Sequence, residues 1–154
     1  MKGTSRSMYS IAHLHLIINH VPVVGSIFIL AMYIIALLFK NVFLQKVSLW
    51  FLVVIALATA VAYVTGDKTK DAVEGLSQAS STMIELHEQY ARYSLIVMFV
   101  AGIVALGGAL FYSRKPTFPL YVHISIIVIL LISVVLFSYV GLFGGEIMHT
   151  EIRS

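Results

Sequence analysis

The chain has 154 residues, of which 60% are hydrophobic and 11% are charged, with a formal net charge of +3. A soluble domain usually has about 25% charged residues, so this chain has too little polar surface to cover itself in water. No basic stripe with interleaved aromatic residues is present, which argues against nucleic-acid binding. The sequence contains no cysteine, and this excludes c-type haem attachment, cysteine-bound iron–sulfur clusters and disulfide bonds.

Four long apolar runs follow one another along the chain. A membrane-spanning helix needs about 20 apolar residues, and the first run is too long for the hydrophobic core of a signal peptide. Helices joined by short connections favour antiparallel neighbours. The sequence therefore predicts an all-α fold, an integral membrane four-helix up-down-up-down bundle. We expect one transmembrane domain over 1–154, without an internal repeat, and helices at about 11–39, 47–65, 88–112 and 118–143.

The one long polar connection is predicted at 66–87. Weak helical patterning at 71–75 and 83–88 indicates surface helices that lie over the end of the bundle. Gly144-Gly145 is expected to end the fourth helix, because glycine commonly follows a helix C-terminus.

The charged residues predict an orientation. The two short loops at 40–46 and 113–116 contain only basic charged residues, whereas every acidic residue falls at the other end of the bundle. Short loops rich in Lys and Arg tend to remain in the cytoplasm. We therefore expect both termini and the long polar connection on the extracytoplasmic side.

Five of the six histidines fall at that same predicted end, and only His123 lies at the other. A single histidine at a membrane interface is common, because an amphipathic ring suits the headgroup region. Convergence from three separate helices instead indicates a site, since ionisable groups within membrane helices are usually functional. The five are His13, His15, His20, His87 and His149.

Helical geometry predicts how these histidines pair. His13 and His20 share a face, whereas His15 and His20 differ by about 140° and cannot reach the same atom. In a square bundle the first and third helices are diagonal, so one histidine from each can bracket a flat cofactor. We expect His20 to point into the bundle and to pair with His87. His15 and His149 form the predicted second pair.

The expected cofactor is haem b, one or two per chain. Neutral imidazole is an axial haem ligand, and a b-type haem needs no cysteine. Arg92 can pair with a haem propionate, since Arg suits bidentate carboxylate binding, or it can snorkel to the headgroups with Glu88 as its partner. The alternative is a non-haem transition metal, because Glu146-Ile-Met-His149 has the Glu-x-x-His spacing of di-iron bundles, although the motif occurs once. The metal ligands would then be drawn from His15, His20, His87 and His149.

The segment His15-Leu-Ile-Ile-Asn-His20-Val-Pro22 resembles the H-x4-H-[F/V]-P opening motif of a family of small four-helix bacterial membrane proteins of unknown function. His87 matches a histidine at the entry to that family's third helix. Gly144-Gly145 and His149 match its glycine turn and histidine-containing tail. His13 has no counterpart there. Because some members are linked to c-type cytochrome modules, the resemblance implies a protein of the bacterial inner membrane with redox work and b-haem ligation by these histidines.

The predicted function is that of a membrane b-type cytochrome, an electron-transfer protein more than a stand-alone enzyme. We expect lipid around it, and a homodimer or a place in a redox complex with a c-type cytochrome or quinol partner. The alternative is a structural or assembly subunit of a membrane complex.

Overall fold

A computed structural model describes residues 2–69 and 80–147, with side chains of the first helix described from Leu14 onward. Four helices make up this part of the chain: α1 (Lys2–Leu38), α2 (Val42–Asp67), α3 (Ser81–Phe111) and α4 (Leu120–Glu146). Within the described ranges there is no strand. The predicted all-α, four-helix architecture is confirmed.

All four helices are long and apolar enough to cross a membrane. In the most apolar stretch of each helix, only 28% to 33% of the residues are buried inside the bundle. The remaining apolar side chains face outward, where water would make them costly and lipid would not. The chain is therefore a multi-pass membrane protein.

Each helix packs on two neighbours. α1 contacts α2 and α4, and α3 contacts the same two helices, so α1 and α3 lie on one diagonal of the bundle and α2 and α4 on the other. The interior contains large apolar side chains from all four helices. Its fully buried members include Ile29, Tyr33, Leu49, Leu52, Met98, Ile126 and Leu130.

Several predicted helix boundaries are wrong. α1 begins at Lys2 and α2 at Val42, not at about 11 and 47, because each helix extends into the polar residues before its apolar run. The segment 83–88 is not a separate surface helix but the first turns of α3, whose N-terminus is capped by Ser80. The Ser80 hydroxyl accepts a hydrogen bond from the Met83 N–H at 3.4 Å. α4 also continues through Gly144 and Gly145 to Glu146, so the glycine pair does not end it. The other predicted surface helix, at 71–75, lies outside the described residues.

The α1–α2 and α3–α4 hairpins bury equivalent positions. Moving 72 residues along the chain takes the buried Pro22 of α1 to the buried Ser94 of α3, and Ile29 to Ala101. The same shift joins three further buried pairs: Ser26 and Met98, Tyr33 and Ala105, Ala36 and Gly108. A shift of 78 relates α2 to α4 in the same way, through Ser48 and Ile126, Leu52 and Leu130, Ile55 and Ser133, Thr59 and Phe137, and Ala62 and Val140.

This relation gives the bundle an internal two-fold pattern of burial. The relation is one of burial, and the expectation of no repeat in the sequence stays a prediction. Paired positions such as Thr59 and Phe137 differ in chemistry, so a comparison of residue types along the sequence does not reveal the pattern.

Candidate functional site

A cavity of about 480 Å³ lies among the four helices, at the end of the bundle that contains the described acidic residues. His15 from α1 and His87 from α3 both line it, and so does His20. The remaining walls are largely apolar but include several polar groups. They are formed in part by Asn19, Thr59, Tyr63, Asp67, Glu88, Ala91, Phe137, Val140 and Gly141.

The His15 ring is held by α2. Its Nδ1 lies 3.1 Å from the Ala62 carbonyl oxygen and 3.3 Å from the Thr65 hydroxyl. A carbonyl oxygen can only accept, so in this hydrogen bond Nδ1 is the atom that carries the proton. The neutral ring then keeps the lone pair on Nε2, which is the atom left for a ligand in the cavity.

The His87 ring is held by α4 in the same manner. Its Nδ1 donates to the Val140 carbonyl oxygen at 2.9 Å, which again leaves Nε2 as the free acceptor. His15 and His87 are both half-buried and are close enough to interact electrostatically. Two diagonal helices therefore present imidazoles of the same tautomer to one cavity.

A glycine makes room for each ring. A Cβ atom built on Gly66 would lie 2.8 Å from His15 Cε1, and one on Gly144 would lie 3.1 Å from His87 Cε1 and Nδ1. Both distances are shorter than an ordinary van der Waals contact, so a larger residue would displace the imidazole. This contact gives Gly144 a role inside α4 that does not depend on ending the helix.

The two ring-binding arrangements are equivalent under the internal two-fold pattern. His15 and His87 are related by the shift of 72 that relates α1 to α3. The carbonyl that accepts from each ring comes four residues before the glycine in both cases, Ala62 before Gly66 and Val140 before Gly144. Sequence reasoning missed both glycines and both carbonyls.

His20 differs from this pair. Its side chain is exposed, and its Nδ1 lies 2.8 Å from the carbonyl oxygen of Leu16 in its own helix. The prediction that His15 faces elsewhere is wrong, and His20, predicted to point into the bundle, is exposed although it lines the cavity. The angle of about 140° between them was a sound inference, but the rotation of α1 about its axis decides which of the two faces the interior. His20 remains at the border of the cavity.

The other two predicted site histidines cannot be placed. The side chain of His13 and all of His149 lie outside the described residues, so the predicted pair of His15 with His149 and the Glu146-x-x-His149 motif stay predictions. In the part of the chain that the structure describes, no group of three or more His, Asp or Glu side chains is placed to hold a metal ion.

Arg92 lies beside the cavity without being part of its described lining. Its guanidinium pairs with Glu88, one turn earlier on α3, at 3.1 Å, and also interacts with Tyr63 of α2. The side chain is 59% exposed, so the ion pair contributes little to stability. Contact with a haem propionate stays a prediction for Arg92.

Comparisons with protein-family models, curated proteins and solved structures found no match for this chain. The family resemblance of the His15–Pro22 segment therefore stays a prediction. The functional argument depends on the geometry of the cavity.

Proposed function

We propose that the chain is a membrane b-type cytochrome that holds haem between His15 and His87. The observation that carries the proposal is this pair of equivalent imidazoles, which line one cavity from diagonal helices with Nε2 free on each. This pairing replaces the predicted pair of His20 with His87.

The residues present fit such a cofactor. Histidine ligands usually donate their second ring nitrogen to a carbonyl or carboxylate, which fixes the ring and its tautomer. Ala62 and Val140 supply those carbonyls, and Gly66 and Gly144 let each ring lie close against the neighbouring helix. When bound, haem supplies one-electron redox chemistry, whose potential depends on its axial ligands and on burial.

One haem per chain is the stoichiometry that we propose. His15 and His87 are equivalent to each other under the internal two-fold pattern, so together they complete one site with two ligands. The walls contributed by Ala91, Phe137 and Val140 are apolar and would exclude water from the cofactor, which favours tight retention without a covalent link.

The proposed role is electron transfer at the extracytoplasmic face of the bacterial inner membrane. The described acidic residues all lie at the cavity end of the bundle, and the loops at the opposite end contain only basic charged residues. A c-type cytochrome or a quinol is the proposed redox partner, and the chain would work as a homodimer or as a subunit of a redox complex. The resemblance to the family with the H-x4-H-[F/V]-P motif supports this assignment.

Optical spectroscopy tests the cofactor. The purified protein is expected to show a Soret band, and dithionite reduction is expected to sharpen the α-band of a low-spin b-type haem. Extraction and quantification of haem are expected to give about one haem per chain. Protein that is well folded by circular dichroism, expressed with haem in excess, and without either band would overturn the proposal.

Cysteine labelling tests the orientation, because the chain has no native cysteine. Ser81→Cys places a thiol at the exposed start of α3, and Ser113→Cys places one in an exposed basic loop. In spheroplasts, a membrane-impermeant maleimide is expected to label the first variant, and the second only after permeabilisation. The reverse result would place the cavity on the cytoplasmic side.

A further inference from the structure

A second cavity, of about 440 Å³, lies between α3 and α4 at the opposite end of the bundle from the histidine pair. We call it the α3–α4 groove. Its long wall is apolar and contains Val104, Gly107, Gly108, Phe111 and Val122. A Cβ atom on Gly107 would meet only Phe111, at 4.0 Å, so this wall is open at Gly107, whereas Gly108 is buried against Leu49.

The groove has a polar end next to the basic loop. Lys115 Nζ lies 5.6 Å from the centre of the Tyr112 ring, and the hydroxyls of Tyr112 and Tyr121 are 2.5 Å apart. The pair contains two hydroxyl hydrogens and uses one between its members, so one hydrogen remains to donate to an anion. The hydrogen bond with Tyr121 raises the pKa of Tyr112 above its ordinary value.

The loop at this end is fixed in place. Lys46 of α2 donates from Nζ to the Ser113 carbonyl oxygen at 2.8 Å and to the Lys115 carbonyl oxygen at 3.2 Å. Lys46 is thus engaged with the backbone, whereas the Lys115 ammonium lines the groove. The two hydrogen bonds from Lys46 to the loop backbone therefore help to hold Lys115 at the polar end of the groove.

The groove breaks the internal two-fold pattern. Under the shift of 72 that relates α1 to α3, Gly107 and Gly108 correspond to Ile35 and Ala36. The side chain that would cover the equivalent wall of the first hairpin is absent from the second. Packing of the core accounts for Gly108, where a Cβ atom would lie 3.2 Å from Leu49 Cδ1, but it does not account for Gly107, which meets only Phe111.

The charges at this end select the kind of ligand. Lys40, Lys46, Arg114 and Lys115 are described there, and the described acidic residues all lie at the other end of the bundle. An anion is therefore favoured at the polar end, while an apolar chain suits the long wall. Free inorganic phosphate would satisfy only the first of these two features.

We propose that the α3–α4 groove binds one phospholipid with an anionic headgroup, with its phosphate at Lys115 and the Tyr112–Tyr121 pair and an acyl chain along Gly107 and Gly108. Lys and Arg near a membrane surface attract anionic lipids, and Arg or Lys with hydroxyl donors suits phosphate oxygens. This proposal is independent of the haem site.

Native mass spectrometry of the full chain in detergent tests the proposal, with phosphatidylglycerol and phosphatidylcholine of identical acyl chains as probes. We expect one tightly retained phosphatidylglycerol and at least about fivefold weaker phosphatidylcholine binding. Lys115→Gln is expected to weaken phosphatidylglycerol binding about fivefold, and Gly107→Leu, which fills the wall, at least as much. Lys40→Gln removes the same charge from the other basic loop and is expected to leave binding within about twofold.

Three results would overturn it. Equal retention of the two lipids would show that the headgroup charge is not recognised. Equal weakening by Lys40→Gln and Lys115→Gln would reduce the effect to overall charge. Displacement of the lipid by millimolar inorganic phosphate would show that the acyl chain is not held. Circular dichroism and thermal melting of each variant establish that a loss of binding is not a loss of fold.

Discussion

Replacing His15 or His87 by alanine is expected to abolish the low-spin haem spectrum of the purified protein. Each substitution removes one of the two half-buried imidazoles that line the cavity from diagonal helices and are held by a neighbouring helix. Loss of a group that merely supports a metal ligand typically lowers affinity 10- to 100-fold, so loss of a ligand should lower retained haem per chain by at least about tenfold. The measurement is the ratio of Soret to protein absorbance, together with extracted haem.

His20→Ala is the matched control for this pair. His20 borders the same cavity, but its ring is exposed and bonded within α1. We expect a full complement of haem and an unchanged α-band in this variant. A result in which His20→Ala loses the spectrum while His15→Ala keeps it would restore the pairing of His20 with His87 and refute the one proposed from the structure.

Enlarging either glycine beside the rings is expected to disturb the site without removing a ligand. In Gly66→Val and Gly144→Val the added side chain would occupy the space of the His15 or His87 ring. Overpacking of this kind costs about 1–3 kcal/mol of stability. The displaced imidazole can no longer donate to its carbonyl through Nδ1 and bind the haem through Nε2 at the same time. We expect weaker haem retention and a partial shift to a high-spin spectrum. Absorption and electron paramagnetic resonance spectroscopy measure both effects.

Gly141→Val is the control for these two variants. Gly141 lies on the same helix as Gly144 and lines the same cavity, but a Cβ atom there meets nothing within 4 Å. It therefore tests loss of a helical glycine with no clash against an imidazole. Equal spectra for Gly141→Val and Gly144→Val would mean that the contact with His87 does not matter.

The fold could be predicted from the sequence to a useful degree, because a bilayer allows few solutions for apolar runs of this length. The helix boundaries at the polar ends were harder to predict. α1 begins at Lys2 and α3 at Ser81, since a helix continues its own hydrogen bonds into polar residues. Ser80 followed by helix-compatible residues was a usable capping signal for the early start of α3.

The site was less predictable because it depends on helix rotation. In a soluble bundle an apolar stripe reveals the buried face, but a membrane helix is apolar on its lipid side as well. The sequence of α1 therefore shows His15 and His20 on different faces without showing which face is internal. His87 lines the cavity, and its role as a cofactor ligand stays a prediction.

The pairing of each ring with the neighbouring helix also has a consequence for how the protein is made. His15 is bonded to α2 and His87 to α4, so each half of the site is completed within one helical hairpin. A hairpin inserted into the bilayer can therefore position its own imidazole before the other hairpin arrives. A ligand bridging the two rings would favour association of the hairpins by its binding free energy, and the last step of assembly would depend on the supply of cofactor.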